Sequence, residues 1–231
     1  MPKNALIVGA GPGISASVAC ALAKDGYKLA LAARDTEKLS DLAGETGAQT
    51  FACDVLDTGS IDALFAGTDK GFKTLDLVLY NPSYRERGPL VELDRERVRK
   101  ALMVTAYGAF VVAQQAATRM LAQGSGAIFL TGASAGVKGY PQSAPFAMGK
   151  FALRGLAQSM ARELHPQNIH IAHFVIDGGV ANAGQDRVNA AAEPDRWLEP
   201  DAIAQTYMAI LNQPRSAWSW EIEVRPWVET F

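Results

Sequence analysis

The sequence predicts an α/β protein: one domain built on a doubly wound parallel sheet of about seven strands, with helices on both faces. Three observations carry that prediction. Strand-like runs alternate with helix-like segments along the whole chain, a pattern that calls for crossover helices between parallel strands. The strand-like runs, such as Ala5-Leu-Ile-Val8 and Ile169–Ile176, are nearly continuous in apolar character, as strands covered on both faces are. A glycine-rich turn, Gly9-Ala-Gly11-Pro-Gly13, separates the first strand from the first helix.

The elements follow in order. Asn4–Val8 has the length and apolarity of a buried strand. Gly13–Asp25 reads as a helix stopped by Gly26, and Tyr27–Ala33 as the second strand. Asp35 is the expected N-cap of a helix through Ala43 that ends near Gly44. Gln49–Cys53 is a third strand, Ser60–Phe65 a short helix and Leu75–Leu79 a fourth strand. One long helix is expected over Asp94–Ala122, then a fifth strand at Ala127–Leu130 and a second long helix at Ser143–Leu164. Ile169–Ile176 is the sixth strand, Pro200–Leu211 a helix, and Ser219–Val224 a closing strand whose alternation suits a sheet edge. No repeat, low-complexity tract or linker interrupts the pattern, so residues 1–231 are read as a single domain.

Composition narrows the function. With 231 residues, 48% of them hydrophobic, the chain can bury a large core. A net charge of −2 argues against nucleic acid or an anionic membrane as partner. The charged run Arg95–Lys100 reads as a solvated helix face with a Glu96–Lys100 pair. Cys20 and Cys53 fall in apolar patterns, which suits a reducing cytoplasm better than a disulfide framework. His165, His170 and His173 lack metal-ligand spacing, since His170 and His173 would face opposite sides of one strand, so no metal is expected. The apolar stretch from Ala5 to Ala23 is broken by Gly9, Gly11, Pro12 and Gly13 and reads as strand, turn and helix, not as a membrane span. The first strand starts so near Met1 that no signal peptide is expected.

The glycine turn has a chemical use. A helix N-terminus presents free backbone N–H groups and partial positive charge, and glycines let a phosphate approach the backbone closely. Gly9, Gly11, Gly13 and Ile14 are therefore candidate nucleotide-binding residues, a turn without ligand being the plainer alternative.

Together with Phe146-Ala-Met-Gly-Lys150, which follows a strand-like run ending Thr131-Gly-Ala-Ser-Ala-Gly136, this turn resembles the short-chain dehydrogenase/reductase family. The resemblance covers nearly the whole chain and is strongest from Asn4 to Asn182. It implies a Rossmann-type fold and a nicotinamide cofactor. Arg34, directly after the second strand in Ala32-Ala33-Arg34-Asp35, matches the arrangement that pairs with a 2′-phosphate, so NADP(H) is favoured over NAD(H). Asp54 and Val55 match the family's adenine border, and Asn81 and Pro82 stand in the segment beside the cofactor ribose. Gly178, Val180 and Asn182 match the segment after the sixth strand that meets the nicotinamide.

The family's chemistry uses a serine, a tyrosine, a lysine and an asparagine. Lys150 is kept, and the resemblance assigns it to the nicotinamide ribose. Phe146 stands for the tyrosine that donates the proton, Ala133 for the serine and Thr105 for the asparagine. Tyr140 is the first choice for a replacement acid, with Ser143, Tyr84 and Tyr107 behind it. The resemblance thus implies an oxidoreductase of a small carbonyl compound or alcohol with an altered acid–base site. The alternatives are a non-catalytic NADP(H)-binding sensor or scaffold and, third, a reductase of activated C=C bonds. By resemblance the two long helices pack across a homodimer or homotetramer interface. The tryptophans of Trp218–Trp227 are candidates for assembly contacts, and Ala183–Leu198 for a loop over the substrate.

Overall fold

Seven strands, all parallel, join one sheet in the order β3-β2-β1-β4-β5-β6-β7 in this computed structural model, which describes residues 3–182, 184, 186–190 and 194–230. The strands are β1 Asn4–Val8, β2 Lys28–Ala33, β3 Gln49–Ala52, β4 Leu77–Tyr80, β5 Gly126–Thr131, β6 Ile169–Ile176 and β7 Glu221–Val224. The helices are α1 Ile14–Lys24, α2 Ser40–Thr46, α3 Thr58–Gly71, α4 Arg95–Leu102, α5 Gly108–Gln123, α6 Ala144–Leu164 and α7 Pro200–Leu211. The strands run outward from β1 to β3 on one side and from β4 to β7 on the other. The direction of winding therefore reverses between β1 and β4, which opens a crevice beyond their C-terminal ends.

Each face of the sheet packs its own core. Leu6, Val8, Val78, Tyr80, Ile128 and Leu130 meet α3, α5 and α6 on one side. Ala5, Ile7, Leu29, Leu31, Leu79 and Phe129 meet α1 and α7 on the other. The alternation along each strand delivers residues to both faces, and burial of each Leu, Ile or Phe contributes about 1.5–3 kcal/mol.

Four local expectations are corrected. Asp35 does not cap a helix to Ala43. It accepts from Glu37 N at 3.2 Å and opens a 3-10 turn, Glu37–Leu39, before α2 runs from Ser40 to Thr46. The short helix at Ser60–Phe65 is α3, which is capped by Asp57, whose Oδ1 accepts from Gly59 N at 2.9 Å, and runs from Thr58 to Gly71. Gly67 sits within it, and its missing Cβ makes room for the Phe51 ring, which would lie 2.8 Å from one. Glu96 pairs with Arg99 at 2.8 Å and not with Lys100, whose Nζ lies 5.1 Å from the Tyr84 ring centroid.

The fourth correction is the long helix. It starts at Asp94, whose Oδ1 accepts from Arg97 N at 2.8 Å, but a π turn at Met103–Tyr107 splits it into α4 and α5. The wider turn reorganises the backbone carbonyls, and the Tyr80 hydroxyl donates to Val104 O. Gly108 gives that hydroxyl its space, since a Cβ there would lie 2.8 Å from it. Arg95–Gln123 is the one helical run among the described residues long and apolar enough to cross a bilayer. Its Ala101, Ala109, Val112, Ala116 and Met120 are buried inside the protein instead.

The edge strand β7 is fastened to the layer beside it. Glu221 accepts from Arg154 of α6 at 2.6 and 2.7 Å and lies 3.0 Å from His173 Nδ1 of β6. Burial holds the His173 pKa down to about 4, so the ring is neutral at physiological pH. His170 faces the opposite side and stacks on Trp218 with ring centroids 4.6 Å apart. Trp218 and Trp220 are thus partly enclosed by the protein itself, while Trp227 is exposed.

Candidate cofactor and substrate site

The turn after β1 is shaped by glycine. Gly9 has φ +79°, and a Cβ there would come within 2.7–2.8 Å of the Pro82 backbone N and ring. Gly13 has φ 89° and ψ −134°, a conformation that side chains avoid, and it opens α1 with no side-chain cap and no acidic residue in the first turn. Space is open around Gly11 and Gly13, so the free N–H groups of α1 face a hollow that fits a diphosphate. Ser15 ties this turn to the end of β4. Its Oγ donates to Gly9 O at 3.0 Å and accepts from Asn81 Nδ2 at 2.7 Å.

Two adjoining clefts share Pro12 and Asn81. The larger, about 580 Å³, is lined by Gly9, Gly11, Arg34, Asp35, Lys38, Cys53, Asp54, Val55, Asn81 and Pro82, with Tyr84, Lys100 and Val104 at its far side. The smaller, about 180 Å³, is lined by Gly13, Ile14, Val180, Asn182 and Arg187. The sequence-based candidates Gly9, Gly11, Gly13, Ile14, Arg34, Asp54, Val55, Asn81, Pro82, Val180 and Asn182 therefore gather along one crevice at the winding reversal. Asp54 also holds its own turn, accepting from Leu56 N at 3.1 Å. Asp35 is drawn off by Lys38 at 3.1 Å.

Gly178, Lys150 and Tyr140 line neither cleft. Gly178, with φ +157°, packs under Pro226 and Leu198, where a Cβ would lie 2.7 Å from the Pro226 ring. Lys150 is 3% exposed and turns into the protein, where its Nζ donates to Thr131 O at 2.7 Å. Burial lowers its pKa to about 8. The Phe146 ring lies one helical turn away, with its centroid 5.8 Å from that ammonium. Tyr140 is exposed on the loop before α6, its ring 5.7 Å from Lys138 Nζ. The Tyr140 hydroxyl as hydrogen-bond partner is the main cause of a raised Lys138 pKa. Lys138 in turn reaches buried Asp177, which Arg225 also engages at 2.7 Å.

The other positions of the expected acid–base set differ in fate. Thr105 sits in the π turn against Gly149 of α6, and its buried Oγ1 has no hydrogen-bond partner. Ser143 Oγ, at the start of α6, is likewise buried without a partner. Ala133 closes β5 in extended conformation. Tyr107 is exposed beside Phe110 on the helix surface, outside both clefts, so of the reserve tyrosines only Tyr84 lines the crevice.

Several residues went unnoticed in the sequence. Lys38 and Lys100 carried no motif. Arg187 lies in the stretch expected as a substrate loop, which has structure of its own: Ala181 N donates to Leu198 O at 2.8 Å and Asn182 N to Arg187 O at 2.7 Å. Residues 183, 185 and 191–193 of that stretch lie outside the described residues. Arg85, on the loop after β4, places its guanidinium carbon 5.1 Å from the Phe146 ring centroid.

A parallel sheet with a glycine turn and an uncapped helix at its winding reversal defines a dinucleotide-binding protein. Comparison with known proteins narrows the class. The family description "short chain dehydrogenase" matches residues 3–194. An uncharacterized oxidoreductase of Staphylococcus aureus is 27% identical over 229 residues, 97% of each chain. A short-chain dehydrogenase from Rhodopseudomonas palustris is 32% identical, with TM-score 0.83 over 97% of this chain and 99% of that one. A metagenomic short-chain oxidoreductase solved in complex with NADP is 25% identical, with TM-score 0.83 over 97% of each chain. The chain belongs to the short-chain dehydrogenase family of oxidoreductases.

The buried ammonium has a consequence for stability. Its folded pKa lies below the value of an unfolded lysine, so below pH 8 the full cost of burying the charge is present. That cost is relieved as pH rises from about 8 towards the lysine reference of about 10.4. In denaturant melts, wild type is expected to gain stability relative to Lys150→Met across this window. A difference between the two that stays constant with pH would contradict the burial of a charged Lys150.

Proposed function

We propose that the protein is an NADP(H)-dependent oxidoreductase of a small carbonyl compound or the matching alcohol, with a rebuilt and slow acid–base site. The observation that carries this reading is the uncapped N-terminus of α1 behind Gly9–Gly13, opening on a crevice that also holds Arg34. The N–H groups of α1 would hold the diphosphate. Arg34, with Asp35 engaged by Lys38, would take the 2′-phosphate, which favours NADP(H) over NAD(H). Asp54 and Val55 would border the adenine, and Val180 and Asn182 the nicotinamide end, where Asn182 can both donate and accept hydrogen bonds. The cofactor, when bound, supplies or accepts a hydride.

The chain's own part is the proton. Phe146 has none to give, and loss of such an acid typically costs about 10²–10⁴ in rate. Tyr140, linked through Lys138 to Asp177, is the first choice to replace it, and Tyr84, which lines the crevice, is the second. The replacements at Ala133, Phe146 and Thr105 also favour a second reading, a non-catalytic NADP(H)-binding sensor or scaffold.

One experiment separates them. NADPH fluorescence titration should show saturable binding, weakened at least about tenfold by Arg34→Ala while NADH binding barely changes. A carbonyl panel should give slow NADPH oxidation that Lys150→Ala abolishes. Tight binding without turnover would favour the sensor, and no binding would defeat both readings. Exposed Tyr107, Phe110 and Leu121 on the α4–α5 run, with Met148 and Phe151 on α6, support a homodimer or homotetramer packed through these helices. A single-chain mass in multi-angle light scattering at micromolar concentration would contradict that assembly.

A further inference from the structure

Two cations lie against the Phe146 ring, and a third lines the cleft of Asn182. Arg85 reaches its ring from the loop after β4, with the guanidinium carbon 5.1 Å from the centroid, and Lys150 reaches it from within α6 at 5.8 Å. Arg187 enters from the loop after β6 and lines the smaller cleft beside Asn81, Val180 and Asn182. Among the described residues, that cleft has no carboxylate in its lining.

One carboxylate on each of the two loops, after β4 and after β6, is engaged elsewhere. Glu86, the neighbour of Arg85 in sequence, turns to Arg97 at 3.2 Å. Asp177 is engaged by Lys138 and Arg225. Among the described residues Arg85, Arg87 and Arg187 form no ion pair. Arg85 has its pKa lowered by burial first and then by the charges of Arg87 and Arg187, so both oppose its charge. A guanidinium with like charges near it and no carboxylate partner is unfavourable in the free protein, and an anion held against it removes that repulsion while gaining charge-assisted hydrogen bonds. A chain of net charge −2 has no general excess of cations to explain the cluster.

We propose that the substrate carries a carboxylate or phosphate group, held by the Arg85 guanidinium beside Phe146 with Arg187 as the second cationic contact. The proposal rests on the oxidoreductase reading above and specifies its substrate class. Phe146 then has a binding role: its ring face carries the arginine through a cation–π contact and leaves the fork of N–H donors free for the anion. Arg85 is a specificity-determining residue, and no proton leaves it.

The test uses the full chain saturated with NADPH and two matched aldehydes, 4-carboxybenzaldehyde and methyl 4-formylbenzoate, with calorimetry as readout. The acid is expected to bind at least about tenfold more tightly than the ester. Arg85→Gln should remove that preference, Arg85→Lys should keep part of it, and NADPH affinity should stay unchanged in both. Equal affinity for acid and ester, or a preference that survives Arg85→Gln, would overturn the proposal. So would weaker NADPH binding in Arg85→Gln, because the cation would then serve the cofactor's diphosphate. Benzoate and inorganic phosphate titrations of the cofactor-free protein keep the two readings separate. Saturable binding of either that Arg85→Gln abolishes supports the anion site even if NADPH fails to bind. Absence of such binding together with intact NADPH binding overturns the anion site alone.

Discussion

The contact between Gly9 and Pro82 fixes the geometry on which the site depends. β1 and β4 are neighbours, with Asn81 N donating to Val8 O at 3.0 Å where the strands end. The chain must leave β1 by turning over the end of β4, and the Pro82 ring fills the space directly above. A residue at position 9 therefore needs a positive φ and no Cβ, which only glycine provides without strain. The hydrogen bonds from Asn81 to Ser15 and from Ser15 to Gly9 O then lock the first turn of α1 to the same point. The free N–H groups of α1 are aimed by this junction, and the crevice from Arg34 to Asn182 is arranged around it.

A second layer of structure determines what chemistry remains beside that crevice. The carbonyl at the end of β5 accepts from Lys150, which keeps the ammonium inside the protein. The π turn places Thr105 against Gly149, next to Lys150 in α6, and the Tyr80 hydroxyl satisfies Val104 O within the turn. Beyond this layer Lys138, Asp177 and Arg225 join the ends of β5, β6 and β7. The open points of this scaffold are the hydroxyl that Phe146 lacks and the buried, unpartnered hydroxyls of Thr105 and Ser143.

Much of this was legible in the sequence because it follows from local rules. The β–α alternation gave a parallel sheet, and the glycine turn gave the position of the crevice. Arg34, Asp54, Asn81 and Asn182 fall where a family pattern puts them. Long-range packing supplied the rest. The short helix read at Ser60–Phe65 continues to Gly71 past Gly67, whose missing Cβ leaves space for the Phe51 ring. The π turn had no signature, because it depends on Tyr80 arriving from another strand. Gly178 matched a motif, yet the chain's own Pro226 covers it. Arg85 and Arg187 are far apart in sequence, and only the fold brings the one to the Phe146 ring and the other to the smaller cleft.

The most direct measurement repairs the missing hydroxyls with the double change Ala133→Ser and Phe146→Tyr and compares carbonyl reduction by NADPH in variant and wild type. If the scaffold is intact and only the proton donor was removed, NADPH affinity will be unchanged and the rate will rise by about 10²–10⁴. Unchanged rates in a folded variant that still binds NADPH would contradict that view and show that more than the proton donor is missing.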